Sequence, residues 1–277
     1  MKDDKKSMRT AFLTAYPKIF TDINYSVSIF SNMKNLAVES GFAFLPEQFS
    51  NEMTVEIEGR YKALNKALEN EISDKTLIIE LAAGMSPRHL EYKDYNYYEF
   101  DFEEIINIKK ELYKKMNFES LNEKLYGFDL NDLNMLHSHL QKIISSKDND
   151  KVIILSEGLF WYLTKEQIEK ITGEISNTLM DYNWVWITSD CPTEDKLDLE
   201  YRNIISNSAN VKREKTFNSF DDFSTFFSNL GLNTLRFKLL DFIRYENISS
   251  ARLLSSNKED TEKKLNTYTD IAIIKRV

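Results

Sequence analysis

A chain of 277 residues, 42% hydrophobic and 29% charged, is long enough for a sizeable core, and seven glycines with four prolines argue against disorder and against a turn-rich β fold. Its net charge of −8, with lysines interleaved among acids as in KEDTEKKLN, speaks against nucleic acid as the partner, because phosphate binding needs clustered Lys and Arg. One cysteine, Cys191, excludes an intrachain disulfide and a multi-thiolate metal site, and no run approaches eighteen apolar residues, so no metal and no membrane span are expected.

The opening residues, MKDDKKSMRT, lack the apolar core of a signal peptide, and a cytoplasmic setting is the expectation. Up to about Ser73 there is no strand signal. AFLTAYPKIF and INYSVSIFSNMKNLAVES carry apolar residues at helical spacing, and EQFSNEMTVEIEGRYKALNKALENEI predicts one long helix ending at Ser73-Asp74-Lys75. From Thr76 short β-branched or aromatic runs alternate with helical stretches. The predicted strands are TLIIEL, NYYEFD, KLYGFD, KVIILS, WVWITSD, TLRFKLL and TDIAIIKRV. The predicted helices between them are PRHLEY, FEEIINIKKELYKKM, DLNMLHSHLQKII and KEQIEKITGEISNTLM, with two more around Asp195–Ser206 and Ser219–Leu230.

This alternation implies right-handed crossovers and an α/β, Rossmann-like, doubly wound and mostly parallel sheet of seven strands. The expected division is an N-terminal helical cap, residues 1–73, packed on a core domain, residues 74–277.

In such sheets ligands bind where the strand order reverses, at the carboxyl ends of the strands. The turn after the first strand, Ala82-Ala83-Gly84, is small enough for a ligand to approach its backbone. Asp101 closes the second strand, where an acid is placed to bond both ribose hydroxyls of a nucleoside, with Glu99 on the same strand face as a fallback. Ala82 stands where a dinucleotide loop wants its first glycine, and residue 87 is Pro. This favours a nucleoside without pyrophosphate, such as S-adenosylmethionine, over NAD. A plain buried turn, with Asp101 capping the next helix, is the alternative. Asp129 and Glu157 end the third and fourth strands, and each has the alternative of capping a helix.

SEGLFWYLTKEQ, at 156–167, resembles the signature of the leucine carboxyl methyltransferase family, which includes the tetracenomycin-type polyketide O-methyltransferases. ELAAGMSPRHL is similar to that family's cofactor loop, and YYEFDFEEIINIKKELY to its second strand and following helix. EIEGRYKALNKAL and SMRTAFLTAY resemble its pre-domain helix and N-terminal element. The matches keep family order from about Arg9 to Asp190. The resemblance implies a class I methyltransferase that uses S-adenosyl-L-methionine and releases S-adenosyl-L-homocysteine. It implies that Glu80, Ala82 and Gly84 line the cofactor loop, that Asp101 and Phe102 lie at the ribose, and that Asp129 and Leu130 frame the adenine. It also implies that Glu157 lies near the methionine amine, with Arg60 on its carboxylate and Arg9 a second candidate there. Three positions depart from the family pattern: Ala82 for the first Gly and Ser86 for an Asp, which bear on cofactor affinity, and Glu103 for a Pro, which is harmless at a helix start.

The acceptor implied is a small-molecule or polyketide-like compound, methylated on a carboxylate or other oxygen. A carboxylate, with a pKa of about 4, is already ionised at pH 7, whereas a phenol, at about 10, would profit from a base. His137 and His139 sit two apart on a peripheral helix, on different faces, and His89 is expected to face solvent or to have its ring N–H satisfied. Arg88 and Lys18 are candidates by location for a cation facing the acceptor, with a surface position as the alternative for both. Tyr162 is the candidate for orienting the acceptor oxygen, and Trp161 is either site lining or core. Cys191 has no His near it in sequence and no covalent step to perform. Two other readings stay open: a non-catalytic cofactor-binding protein, and an NAD-dependent oxidoreductase.

Overall fold

The computed structural model of the chain describes residues 4–39, 50–145, 149–193, 216–254 and 257–276. Three helices precede the first strand: α1 (Asp4–Ala15), α2 (Ser26–Glu39) and α3 (Asn51–Glu71), with a 3-10 turn, Pro17–Phe20, between the first two. Ser50 caps α3, its side chain accepting the N–H of Met53. Then follow β1 (Thr76–Leu81), α4 (Arg88–Glu91), β2 (Asn96–Asp101), α5 (Glu103–Lys115), β3 (Leu125–Gly127), α6 (Leu133–Ser145), β4 (Lys151–Ser156), α7 (Lys165–Thr178) and β5 (Asn183–Thr188). The chain closes with α8 (Phe220–Asn229), β6 (Leu232–Lys238), a helical turn at Leu239–Phe242, α9 (Lys258–Tyr268) and β7 (Asp270–Arg276).

The seven strands form one sheet in the order β3-β2-β1-β4-β5-β7-β6. The first five are parallel, and β7 runs antiparallel between β5 and β6. This is the doubly wound, mostly parallel arrangement that the alternation of elements predicts. Strand order reverses between β1 and β4, so the crevice at their carboxyl ends lies beside Leu81 and Ser156.

Alternate residues of each strand feed opposite cores. Leu77, Ile79, Val152, Ile154, Trp184 and Trp186 pack against α6, α7 and α8. Ile78, Ile153, Leu155, Val185 and Ile187 pack against Val55, Leu64 and Leu68 of α3. Each such side chain, fully buried, stabilises the fold by roughly 1.5–3 kcal/mol. A third core joins Phe12 of α1 and Ile29 and Met33 of α2 to Ile105, Leu112 and Tyr113 of α5. So α1 and α2 pack beside the second strand's helix, and α3 forms part of the layer covering the sheet.

Some elements differ from expectation. β6 lies two residues earlier than TLRFKLL. Gly231, at φ +76, turns the chain out of α8 straight into the strand, and Asp241 accepts the Lys238 N–H at 2.6 Å where the strand ends. α9, capped by Asn257, lies in KEDTEKKLN, whose composition by itself shows only mixed charge. The helix expected around Asp195–Ser206 and the aromatic segment GFAFLPEQF lie outside the described residues.

Candidate functional site

The site is built from the ends of β1, β2 and β4. At the end of β1 the chain turns sharply, with Ala82 and Gly84 both at φ +51. That left-handed conformation costs an L-residue such as Ala82 about 1–2 kcal/mol. A Cβ on Gly84 would stand 3.3 Å from the Ala11 Cβ, so α1 lies directly over the loop. The loop is held from beneath by two side chains. Asp101 Oδ2 accepts the Gly84 N–H at 2.6 Å, and Lys109 Nζ on α5 donates to the Gly84 carbonyl at 3.0 Å.

Asp101 is 7% exposed. Its other oxygen accepts the Phe102 N–H at 2.7 Å, and Phe102 itself is the helix boundary, without a side-chain cap. The carboxylate therefore braces the turn at residues 82–84 and does not cap α5. Burial pushes its pKa up to about 6, against the lowering effect of the two N–H groups. Glu99, the fallback for the ribose, is unavailable: it is fully buried and bonded to Lys109 Nζ at 2.7 Å.

At the end of β4, Glu157 joins two arginines. Arg60 Nε of α3 donates to Oε1 at 3.0 Å, and Arg88 Nη2 of α4 donates to Oε2 at 2.9 Å. Burial alone would raise Glu157, yet Lys18, Arg60 and Arg88 hold it down to about 2. Arg88 also pairs with Glu80, whose second oxygen accepts the Tyr97 hydroxyl at 2.7 Å, and donates from Nε to Asn65 at 2.7 Å. Ser86, at the family's Asp position, accepts the Arg88 backbone N–H at 3.3 Å.

The structure brings together Arg60, Glu80, Ala82, Gly84, Asp101, Phe102 and Glu157. Asp129 is exposed, its Oδ1 accepting both the backbone and side-chain N–H groups of Asn131 at 2.9 Å, while Asp132 rather than Asp129 caps α6 through the Met135 N–H. Leu130 is buried in the core beneath. Arg9 lies on α1, and its side chain is outside the described residues. Tyr162 ends the 3-10 turn Phe160–Tyr162, half-buried, its backbone N–H donating to the Leu159 carbonyl at 3.1 Å. Trp161 is 3% exposed and Cys191 1%.

Neither Arg88 nor Lys18 is a surface residue: they are 0% and 6% exposed. His89 is fully buried as well, stacked on Tyr97 with ring centroids 5.2 Å apart; among the described residues neither ring nitrogen has a hydrogen-bond partner, Nδ1 standing 3.7 Å from Glu99. Sequence reasoning missed Lys109, which holds the Gly84 carbonyl. The carboxylate of Asp190 accepts the N–H groups of Gly158 (2.6 Å) and Leu159 (2.8 Å), fixing the loop that carries Glu157.

No group of three or more His, Cys, Asp or Glu able to hold a metal occurs among the described residues, and no described helix is long and apolar enough to cross a membrane. No curated protein matches the chain by sequence. A solved structure from Thermobifida fusca YX, named as a candidate methyltransferase, shares the fold with a TM-score of 0.54 at 8% identity, covering 95% of this chain and 94% of that one. The magnesium protoporphyrin IX methyltransferase of Synechocystis PCC 6803, solved with bound SAH, is similar at a TM-score of 0.47 and 12% identity, over 94% of this chain and 99% of its own. The sequence profile described as leucine carboxyl methyltransferase matches residues 27–176, more than half of the chain. With that match on a doubly wound fold, the chain belongs to the leucine carboxyl methyltransferase family and is an S-adenosylmethionine-dependent methyltransferase.

Proposed function

We propose that the chain methylates an oxygen, a carboxylate, of a small-molecule acceptor. The observation that carries this reading is the pairing of two opposed charges, Arg60 and Glu157, beside the Asp101–Gly84 turn. A cation next to a carboxylate is complementary to the zwitterionic end of an amino acid such as the methionine part of the cofactor. Asp101 spends one acceptor site of each oxygen on backbone N–H groups, and a carboxylate has about four, so further sites remain for ribose hydroxyls. These residues fit the cofactor. Arg60 and Glu157 would hold its amino acid end, with Arg9 as a further candidate. Asp101 would hold the ribose, and Asp129 and Leu130 would flank the base.

Bound there, S-adenosylmethionine would supply the methyl group, its carbon–sulfur bond breaking as the carbon–oxygen bond forms and sulfur keeping the electron pair. The work left to the protein is alignment and exclusion of water. A carboxylate acceptor needs no base, and the described residues near the strand ends support one. Asp190 is committed to backbone N–H groups, His137 is exposed, and His139 lies among the rings of Tyr126 and Phe128 on α6. Tyr162 is the candidate for orienting the acceptor.

Titration calorimetry with S-adenosylhomocysteine, with NAD as control, tests the cofactor assignment. Micromolar binding of the former alone is expected, and a screen of carboxylic acids for methyl ester formation follows. Binding of neither nucleotide would overturn the reading. Tight binding with no methyl transfer to any oxygen would support a non-catalytic role.

A further inference from the structure

Lys18 is a buried cation that Glu157 attracts but that, among the described residues, no carboxylate contacts within 4.0 Å. The turn Pro17–Phe20 carries it inward between α1 and α2. Its side chain reaches the ring of Tyr61 on α3, with Nζ 5.0 Å from the centroid. Glu157, Arg88, Arg60 and Glu80 are the charges that act on it. Both of those carboxylates are bonded to arginine: Glu157 to Arg60 and Arg88, Glu80 to Arg88. Among the described residues no acceptor bonds the Lys18 ammonium and no carboxylate pairs with it, although the residue is 6% exposed. Burial pushes its pKa down to about 8. A buried charge without a partner is unfavourable, and an anion arriving beside it removes that penalty.

We infer that Lys18 receives the carboxylate of the methyl acceptor, an inference that rests on the function proposed above. Arg88, the other candidate cation, is consumed by two glutamates, and Arg60 with Glu157 already matches both charges of an amino acid. Lysine also suits the chemistry. An arginine fork takes both oxygens of a carboxylate, whereas an ammonium binds as a point charge. Lys18 on one oxygen leaves the other to attack the methyl carbon. The carbon–oxygen bond forms, the carbon–sulfur bond breaks, and no proton moves. The ester that results is neutral, so its attraction to Lys18 is lost on turnover and release is favoured.

The test is a titration of the full chain carrying carbon-13 at its lysine Cε atoms, followed by NMR, with Lys18→Met identifying the resonance. With S-adenosylhomocysteine bound, saturating benzoate is expected to raise the Lys18 midpoint by roughly one unit or more, as an opposite charge within about 4–6 Å does. A midpoint unmoved by benzoate overturns the inference. A comparable rise with S-adenosylhomocysteine alone overturns it too, because Lys18 would then serve the cofactor's own carboxylate. If calorimetry detects no binding of S-adenosylhomocysteine, the cofactor reading fails by itself. Benzoate added to the free chain then decides the role of Lys18 by the same criterion.

Discussion

Asp101 performs two tasks with one carboxylate. It anchors the turn at residues 82–84 through the Gly84 N–H, and it is the proposed acceptor for ribose hydroxyls. Such hydroxyls would bond the ionised form, and burial raises its pKa to about 6. As pH falls through that value the folded chain takes up a proton, so cofactor affinity declines. Folding stability moves the other way for this group. Between the unfolded value of 3.8 and about 6 the folded state binds more protons, so the Asp101 contribution to stability grows as pH falls. We expect the Kd of S-adenosylhomocysteine, measured by calorimetry from pH 8 to 5, to be flat above about 6 and to rise towards roughly tenfold per unit below it. Asp101→Asn is expected to bind more weakly and to lose the slope. Glu157, held at about 2, stays ionised throughout, so a slope that persists in the variant would refute the assignment. The Asp101 position was legible because period-two alternation and the interval after Gly84 are local features. The burial of Arg88, His89 and Lys18 was not, since a charged or polar side chain in a short helix or turn reads as exposed until its partners are known. Arg88 finds Glu80 eight residues away but Glu157 sixty-nine residues away.

Among the elements, β1, β2 and β4 have the boundaries that their apolar runs predict, because each run is bounded by polar or small residues. β3 is shorter than KLYGFD, as the 3-10 turn Glu119–Lys124 takes its first residue and the chain leaves the edge after Gly127. α7 starts where expected because Thr164 and Gln167 form a capping box, each side chain satisfying the other's backbone N–H. That helix follows directly on the loop of Glu157, so its start sets where the loop ends. Thr164→Ala is expected to lower unfolding free energy by about 1 kcal/mol, measured by urea denaturation, with an unchanged dependence on urea concentration. A loss under a few tenths would mean that packing of Ile168 and Ile171 alone fixes the helix start.

For the whole molecule, the site gathers segments that fold together only when the sheet is complete. Arg60 comes from α3, Gly84 and Asp101 from the ends of β1 and β2, and Glu157 from the end of β4. A ligand bridging them binds the folded chain and not the unfolded one. S-adenosylhomocysteine at a hundred times its Kd is therefore expected to raise unfolding free energy by about 2.7 kcal/mol. In a thermal melt this is a rise of several degrees, at roughly 2–4 °C per kcal/mol for a chain of this size. Equal melting temperatures with and without the ligand would refute a site assembled across these elements.

The sequence by itself determined the alternation of strands and helices, the small-residue turn at residues 82–84, the acid that closes β2 and the family signature at residues 156–167. All of these are set by spacing, turn chemistry and composition over a few residues. Only the tertiary structure decided which charges meet. The Arg60–Glu157–Arg88–Glu80 chain, the hold of Lys109 on Gly84 and the buried ammonium of Lys18 over Tyr61 depend on α1, α3 and α5 packing around the sheet. Burial turns charges that would be interchangeable in water into specific partners, and burial is a property of the assembled fold.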